Sequence, residues 1–493
     1  MIHSSLFISN FDKGEQIMRK MGIRIVSFII IFCFLIGYVN HVLSVKSGGI
    51  YRTQKFYELE DNTVDVLVLG SSHAFANINT AVLWKEYGIA SYILGGSSQP
   101  MWNTYFYLKE ALKTQTPKLI VLEGYRVVEE EEYVMDSFII TNTYGMKWSR
   151  NKIDAIRTSV PEERQMAFLL GYTQYHNRYT ELSEEDFLRD RGSKMYENWK
   201  GSQILMKTTP LEVPNIGDDI ADIKLTEKTE KYYRAIIELA QEKEIPIMIV
   251  ISPYGGIVPD DQALFQTAEK IAGEYGVPFV NYNDRSDLLR INYETDLAEE
   301  SHLNYRGGYK LSKALGEYMV SHYDISDHRG ETIYTSWEDD SRYLYALMTN
   351  QQMKEMTDVD EIQEYIQEQN YDVFLSIDGY GSADNETSGK FLDRMGIVDL
   401  GYGGGIWYLK NGREHIWKSG DGEAVWFFET QHNDFGVKRT RLEDGSYKNE
   451  IIIDNQIYKT VQNGVNVVVF DQTAGEVVDS FGLDADDVYK LKR

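Results

Sequence analysis

The chain has 493 residues, of which 43% are hydrophobic and 13% aromatic, and it carries a net charge of −26 with a pI near 4.8. This length predicts two or three domains with packed cores. The acidic balance excludes a nucleic-acid partner, which would require a basic face, and the single cysteine, Cys33, excludes an intramolecular disulfide.

The amino-terminal segment predicts a membrane anchor. Residues 1–24 are polar and carry four basic side chains, whereas the 21 residues 25–45 contain no Asp, Glu, Lys or Arg. As a helix, 21 residues span about 31 Å, which is enough to cross a bilayer. The basic flank predicts that residues 1–24 form a cytoplasmic tail and that the bulk of the chain lies outside the cell membrane. A cleaved signal peptide is the alternative, but the apolar run is longer than a signal core, and no small-x-small site follows it.

From about residue 60 the sequence alternates between apolar runs and helical patterns, which predicts βαβ units and a parallel sheet. The predicted strands are Val64–Leu69, Ala90–Leu94, Lys118–Glu123, Pro246–Ile251 and Pro278–Tyr282. The predicted helices are Thr80–Tyr87, Asn103–Thr114, Thr226–Glu242, Asp261–Tyr275 and Gly307–Tyr323. Between residues 126 and 223 the alternation stops, and this polar, aromatic segment is predicted to be a helical cap inserted into a domain at 60–323.

The remainder of the chain predicts a second domain. Residues 324–343 are acidic and turn-rich, and they are interpreted as a linker. Beyond them, a helix (Asp358–Glu368), a strand (Tyr371–Asp378) and a hairpin around residues 465–478 indicate a separate α+β domain at 344–493.

Ser72 is the candidate nucleophile of the first domain. The strand Val64–Leu69 is broken at Gly70, so Ser72 is predicted at the carboxyl end of a parallel strand, where open α/β sheets bind ligands. A serine hydroxyl needs a base, and His302, on a loop after the last strand, suits that role. Glu299, three residues earlier, or Asp296 would orient the imidazole.

Three stretches of the sequence resemble the SGNH/GDSL hydrolase superfamily. They are residues 70–72, residues 94–100 and residues 299–307, and the resemblance covers about 60–323. Within the superfamily the chain is similar to the membrane-anchored branch that includes DltD and the alginate acetylation protein AlgJ. The resemblance implies a flavodoxin-like α/β/α sandwich with the helical insertion described above.

The resemblance also implies roles for individual residues. Ser72 takes the position of the nucleophile, His302 that of the base, and Glu299 that of a carboxylate which is normally Asp. The amides of Ser72 and Gly95 would form the oxyanion hole, which stabilises charge that develops only in the transition state. Ser71 stands where many members carry Asp, and the Gly-x-Asn-Asp block of the superfamily does not follow the third strand.

Five further side chains are predicted to contact substrate. They are Gln99 in the stretch 94–100, Glu123 at a strand end, His176 and Arg178 in the cap, and Asn304 beside the predicted base. For Glu123, a structural charge at the cap interface is the alternative. The sequence contains neither metal-ligand spacing nor a phosphate-binding glycine loop, so neither a metal nor a cofactor is predicted.

The carboxyl-terminal domain resembles the interleukin-like EMT inducer (pander-like) domain. The resemblance covers about 345–490 and is carried by residues 371–378, 388–392, 464–471 and 475–478. The same domain forms the stem of a protein-O-mannose N-acetylglucosaminyltransferase, where it binds glycan. The resemblance therefore implies a carbohydrate-binding module, with a spacer or dimerisation domain as the alternative.

Together these features predict a single-pass membrane protein that works outside the cell as an O-acyltransferase. Its acceptor would be a hydroxyl group of a cell-surface or secreted polysaccharide, and the reaction would pass through an acyl-Ser72 intermediate. A multi-pass membrane-bound O-acyltransferase is a partner implied by the resemblance alone. The alternatives are a carbohydrate esterase or deacetylase of the same fold and a non-catalytic surface glycan-binding protein.

Overall fold

A computed structural model divides the chain into two compact units, Met1–Tyr334 and Thr335–Arg493. The structure describes residues 2–45, 47–171, 174, 176–183, 186–187, 199–216, 222–284, 286–379, 386–397, 404–430, 433–487 and 489–493. The structure differs from the predicted linker at 324–343. His328 belongs to the first unit, where its Nε2 lies 2.8 Å from Oδ2 of Asp65, and a helix of the second unit begins at Thr335.

The amino-terminal helix α1 (Ile2–Leu43) contains Met18–Leu43, the one stretch in the described part of the chain that is long and apolar enough to cross a membrane. Its large apolar side chains from Met18 to Val39 are exposed, whereas Val42 is buried. The stretch overlaps the predicted anchor at residues 25–45. A membrane anchor and a signal sequence both fit this description.

The first unit is built on a five-stranded parallel sheet, which confirms the prediction from the strand–helix alternation. Its strands are β1 (Val66–Gly70), β2 (Ser91–Gly95), β3 (Leu119–Glu123), β4 (Ile247–Ile251) and β5 (Phe279–Asn281). The order β2-β1-β3-β4-β5 is the flavodoxin-like one. Every residue of β1 to β4 is buried, which explains why these strands are continuous apolar runs in the sequence.

Helices cover both faces of this sheet. After α1 they are α2 (Gly48–Phe56), α3 (Ser72–Asn77), α4 (Thr80–Tyr87), α5 (Met101–Ala111), α6 (Asp136–Thr143), α7 (Arg150–Ser159), α8 (Gln165–Leu170), α9 (Glu227–Glu242), α10 (Pro259–Glu274), α11 (Ser286–Leu289) and α12 (Tyr305–His322). On one face, Val66 and Val68 of β1 share a core with α3, α4 and α12. Side chains alternate along a strand, so Leu67 and Leu69 point to the other face, where α5 and α9 pack.

The insertion predicted at 126–223 contains helices between residues 126 and 180, whereas its described residues 199–216 form no helix. It contributes α6, α7 and α8, together with 3-10 turns at Glu162–Arg164 and His176–Thr180. These helices pack against α2 and α5. In one such contact, Nδ2 of Asn151 donates to the carbonyl oxygen of Phe106 at 2.9 Å.

The second unit contains two antiparallel sheets. Two short strands of the first unit, β6 (Leu297–Glu299) and β7 (His302–Leu303), form a hairpin and precede these sheets in the numbering. The strands of the second unit are β8 (Asp372–Asp378), β9 (Gly405–Lys410), β10 (Glu414–Lys418), β11 (Ala424–Glu429), β12 (Asp434–Arg441), β13 (Tyr447–Ile453), β14 (Gln456–Tyr458), β15 (Gly464–Asp471), β16 (Glu476–Asp484) and β17 (Lys490–Lys492). One sheet has the order β10-β9-β8-β15-β16-β17 and the other β11-β12-β13-β14. The predicted hairpin is the β15–β16 pair.

Two apolar cores hold the second unit together. Its helices are α13 (Thr335–Glu355), α14 (Val359–Glu368) and α15 (Glu386–Arg394). Val373 and Leu375 of β8 share a core with these helices. Phe374, on the opposite face of the same strand, packs between the two sheets. The unit therefore consists of a helical layer and two sheet layers, with one apolar core between each pair of neighbouring layers.

Candidate active site

Ser72 lies at the carboxyl edge of the parallel sheet, where the sequence predicted it. The strand β1 ends at Gly70, and Ser72 is the half-buried first residue of α3. Gly70 has φ +154°, and a Cβ at this position would lie 2.9 Å from the carbonyl oxygen of Glu123. Only glycine fits this turn, so the backbone reverses sharply and presents Ser72 at the start of the helix.

His302 and Glu299 face each other across the two-stranded hairpin β6–β7. Nδ1 of His302 forms a hydrogen bond with Oε1 of Glu299. The second carboxylate oxygen, Oε2, accepts from the backbone N–H of Ser301 at 2.9 Å. Because a carboxylate only accepts, Nδ1 carries the proton and Nε2 is left as the basic nitrogen. That Nε2 is buried and has no hydrogen-bond partner among the described residues.

Asp296, the other candidate carboxylate, is used elsewhere. It is buried, and its Oδ2 accepts from Nζ of Lys310 at 2.5 Å and from the backbone N–H of Asn292 at 2.8 Å. Its Oδ1 accepts from the hydroxyl of Thr295 at 3.0 Å. These bonds hold the loop before β6, so Asp296 supports the hairpin that carries Glu299 and His302.

Asn77 joins α3 to this hairpin, and Asn304 joins the hairpin to α12. Oδ1 of Asn77, the last residue of α3, accepts from the backbone N–H of Leu303 at 2.9 Å. Asn304 caps α12, since its Oδ1 accepts from the N–H groups of Arg306 and Gly307 at 3.0 and 3.3 Å. Its Nδ2 donates to the carbonyl oxygen of Thr295 at 2.8 Å. The structure thus places Asn304, predicted to contact substrate, in the frame of the site.

His73 follows Ser72 in the chain and lies beside His302 in space. Its ring stacks on Tyr125 with a centroid distance of 3.7 Å and lies 5.2 Å from the ring of His302. The ring centroid of Tyr254 lies 5.1 Å from that of His73, and the two rings meet edge-on. Burial, followed by the nearby charges of His302 and Arg126, holds the pKa of His73 well below its ordinary value. His73 is therefore a neutral ring that forms a wall beside His302.

Glu123 lies beneath the turn at Gly70, at the end of the central strand β3. Its carboxylate accepts from the backbone N–H of Ser252 at 3.2 Å and from that of Tyr125 at 3.3 Å. Burial raises its pKa to about 8. The side chain ties the ends of β3 and β4 together and is mainly protonated at neutral pH.

Gly95, the expected second oxyanion-hole residue, lies directly beside the turn. In the β1–β2 ladder it pairs with Gly70. A Cβ on Gly95 would lie 2.6 Å from the carbonyl oxygen of Gly70, so any other residue would push the two strand ends apart. The carbonyl oxygen of Gly95 accepts from Nη1 of Arg52 at 2.7 Å.

The remaining predicted contacts are dispersed. Gln99 is buried, and its Nε2 donates to the hydroxyl of Thr104 at 3.1 Å. Arg178 binds the end of α1, since its Nη1 donates to the carbonyl oxygens of Leu43 and Ser44 at 3.1 and 2.5 Å. The side chain of His176 lies outside the described residues. The structure thus brings Ser72, His302 and Glu299 to one edge of the sheet and places Arg178 at the end of α1.

Within the described ranges, no group of three or more His, Cys, Asp or Glu side chains could hold a metal ion.

Comparisons with known proteins add two structural neighbours. A protein assigned as an acylhydrolase from Bacteroides fragilis shares 13% identity and a TM-score of 0.28, with 55% of this chain and 94% of that chain covered. A protein assigned to the G-D-S-L lipolytic family from Desulfitobacterium hafniense shares 13% identity and a TM-score of 0.26, with 52% and 99% covered. No protein-family model and no curated protein matches the chain. TM-scores of this size do not establish a common fold, so the interpretation depends on strand order and site geometry.

Sequence reasoning missed the residues that shape the site from outside the motifs. Arg52 lies in a polar stretch after the apolar segment, and the sequence contains no signal that it reaches Gly95. The rings of Tyr125, which stacks on His73, and of Tyr254, which meets His73 edge-on, come from two different strand ends. Tyr125 is the second residue and Tyr254 the third residue after a predicted strand, and that position at a sheet's carboxyl edge was the available signal.

Proposed function

We propose that the protein is a membrane-anchored serine esterase or acyltransferase of the SGNH type. The observation that carries this proposal is the imidazole of His302: its Nδ1 is bound to the carboxylate of Glu299, while its Nε2 is unpartnered in the described structure, beside the helix that begins at Ser72. This is the arrangement that a general base for a serine nucleophile requires. The ring of His302 lies 5.2 Å from the ring of His73, the residue after Ser72.

The reaction follows from these groups. Nε2 of His302 takes the proton of the Ser72 hydroxyl as Oγ attacks the acyl carbonyl carbon, and the carbonyl π electrons move to oxygen. Amides at the strand ends, those of Ser72 and Gly95, stabilise that oxyanion. The intermediate collapses to acyl-Ser72 as His302 returns the proton to the departing alkoxide. Glu299 stabilises the imidazolium formed between the two steps.

The second half of the reaction determines the class of enzyme. An acceptor hydroxyl gives its proton to His302, attacks the acyl-Ser72 carbonyl and releases the serine. When the acceptor is a sugar hydroxyl of a cell-surface or secreted polysaccharide, the protein is an O-acyltransferase. When it is water, the protein is a carbohydrate esterase or deacetylase. We propose transfer as the main activity, with a multi-pass membrane-bound O-acyltransferase as the donor's source; this choice rests on the resemblance of the sequence.

A direct experiment separates these outcomes. The full-length protein in detergent is incubated with p-nitrophenyl acetate, with and without an oligosaccharide acceptor, and p-nitrophenol release and acetylated sugar are measured. Transfer predicts that the sugar is acetylated and that Ser72→Ala abolishes both signals. Release of p-nitrophenol without acetylation of the sugar supports the esterase. Equal activity of Ser72→Ala contradicts both.

A second candidate function concerns the carboxyl-terminal unit, which we propose as a glycan-binding module. Phe427 of the edge strand β11 is 61% exposed and lies over Gly436, whose absent side chain leaves room for the ring. Val425 and Ile457 are also exposed, and an aromatic ring on a flat sheet offers a platform on which a sugar can stack. Oligosaccharide binding by the full-length protein should be lost in Phe427→Ala and retained in the control Leu442→Ala. Equal binding by both variants would contradict this assignment.

A further inference from the structure

A cavity of about 480 Å³ lies where α1 meets the body of the first unit. Its wall combines the end of α1 with α2 and the helices of the insertion; the residues used below are Ser44, Ile50, Trp148, Lys152, Phe168 and Leu170. The cavity is separate from the candidate active site, and the proposed acyl-transfer chemistry uses none of these six residues.

The cavity has an apolar floor and a polar, aromatic wall. Ile50 and Phe168 are buried members of one apolar cluster. On the wall, Nζ of Lys152 donates to the carbonyl oxygens of Tyr144 and Met146 at 3.1 and 2.9 Å and lies 5.0 Å from the centroid of the Trp148 ring. An apolar recess next to a cation and an indole matches the two parts of a lipid, an acyl chain and a polar headgroup.

The surface beside the cavity is unusually apolar for a side facing water. Trp148 is 66% exposed, Leu170 is 50% exposed, and Met166, on the same short helix α8, is 64% exposed. Trp148 and Leu170 also line the cavity. Exposed apolar side chains gathered at one place mark a protein or membrane interaction site, and tryptophan is enriched at the membrane–water interface.

The position of α1 favours a membrane over a protein as the partner of this apolar surface. The 26 residues Met18–Leu43 span about 39 Å at about 1.5 Å per residue, more than the roughly 30 Å of a bilayer's hydrocarbon core. The end of α1 therefore emerges at headgroup level. Arg178 fixes that end to the unit through the carbonyl oxygens of Leu43 and Ser44, and it pairs with Asp186 at 3.0 Å. Ser44 lines the cavity, so the cavity opens at the bilayer surface.

We propose that this cavity holds a phospholipid of the bilayer that α1 crosses, with Trp148 and Leu170 inserted at the headgroup–acyl boundary. The inference rests on the membrane anchor of the proposed function. It has a structural consequence for the active site, because α2 separates the two. Ile50 on one side of α2 lines the cavity, and Arg52 on the other side binds Gly95. The lipid thus contacts the helix that supports the expected oxyanion hole.

Tryptophan quenching tests the contact. The full-length protein is reconstituted into nanodiscs made with phosphatidylcholine brominated in its acyl chains, and its fluorescence is compared with that in unbrominated nanodiscs. The chain has eight tryptophans, and we expect Trp148 to supply most of the quenchable signal. Trp148→Phe should remove most of it, whereas the control Trp426→Phe, in the second unit, should leave it unchanged. Unchanged quenching in Trp148→Phe would overturn the inference.

A second variant tests entry of lipid into the cavity itself. Leu169 lines the cavity and is half-buried. Placing a tryptophan there, as Leu169→Trp in the Trp148→Phe background, should restore quenching by brominated lipid. If quenching stays lost in folded protein, no lipid occupies the cavity. Elution of the wild-type chain separately from the nanodiscs would contradict the anchor and this inference together, whereas co-elution with unquenched Trp148 would contradict this inference alone.

Discussion

The guanidinium of Arg52 donates to the carbonyl oxygen of Gly95 at 2.7 Å. It also donates to the carbonyl oxygen of Gly201 at 2.6 Å and lies 3.9 Å from the ring centroid of Phe75. Arg52 is buried and belongs to α2, the first helix after the apolar segment. A helix next to the candidate anchor therefore fixes the backbone of the glycine that is expected to face the oxyanion.

The Arg52→Lys variant should lose this support. Lysine keeps the charge but not the planar fork that reaches two carbonyl oxygens. Loss of one charge-assisted hydrogen bond should lower the free energy of unfolding by about 2 kcal/mol, and we expect Ser72 to react more slowly with a fluorophosphonate. Urea unfolding and labelling rates measure the two effects. Arg150→Lys, whose side chain is 81% exposed, is the matched control and should change neither. A normal labelling rate in Arg52→Lys would show that Gly95 does not need this support.

Mutations of the two candidate carboxylates, Glu299 and Asp296, should have different effects on the labelling rate and on stability. Glu299→Gln removes the charge that stabilises protonated His302 and should slow the reaction of Ser72 by about 100-fold. Asp296→Asn breaks a buried pair with Lys310, so it should lower stability while folded protein keeps a labelling rate near that of the wild type. The reverse pattern would assign the catalytic carboxylate to Asp296.

His73 should act through its packing beside His302 and not as a base. Phenylalanine keeps the stack on Tyr125 and removes two ring nitrogens that have no partner within the described part of the chain, so His73→Phe should keep its labelling rate within about threefold and lose little stability. His73→Ala removes a buried ring and should cost about 3 kcal/mol. Abolished labelling in a folded His73→Phe protein would instead make His73 a second base.

Glu123 should make stability depend on pH. Burial raises its pKa from an ordinary value of 4.5 to about 8, so the folded state holds a proton that the unfolded state releases first. Between pH 4.5 and about 8 this group therefore lowers stability as pH rises, and it adds no further change above that window. Glu123→Gln cannot ionise, so its stability relative to the wild type should increase across the same window. Parallel pH curves of the two proteins would contradict the raised pKa.

The sequence predicted the parallel sheet well because its strands are buried on both faces and therefore read as apolar runs. It predicted α3 and α2 poorly. The six-residue helix at Ser72 is too short to show a period, and Gly48–Phe56 is polar except for the few side chains that pack inward. The segment 324–343 looked like a linker because acidic residues on the exposed side of α13 hide its buried face.

In the candidate site, too, the sequence predicted some features and missed others. Ser72, Glu299 and His302 belong to short local patterns, and the structure places them at one sheet edge. The contacts of Arg52 with Gly95 and of Asn77 with Leu303 join residues far apart in the chain, and side-chain type and spacing do not encode such pairs. Arg178 was predicted to contact substrate from the cap, and the structure shows its guanidinium donating to the backbone carbonyl oxygens at the end of α1.

The proposed chemistry requires that His302 activates Ser72. This step can be tested by intact-mass analysis of the full-length protein in detergent after treatment with a serine-reactive fluorophosphonate. Ser72→Ala and His302→Ala proteins, shown to be folded by thermal unfolding, are treated in parallel. We expect one adduct on the wild-type chain and none on either variant. A wild-type adduct that persists in Ser72→Ala, or folded wild-type protein that takes up no label, would contradict it.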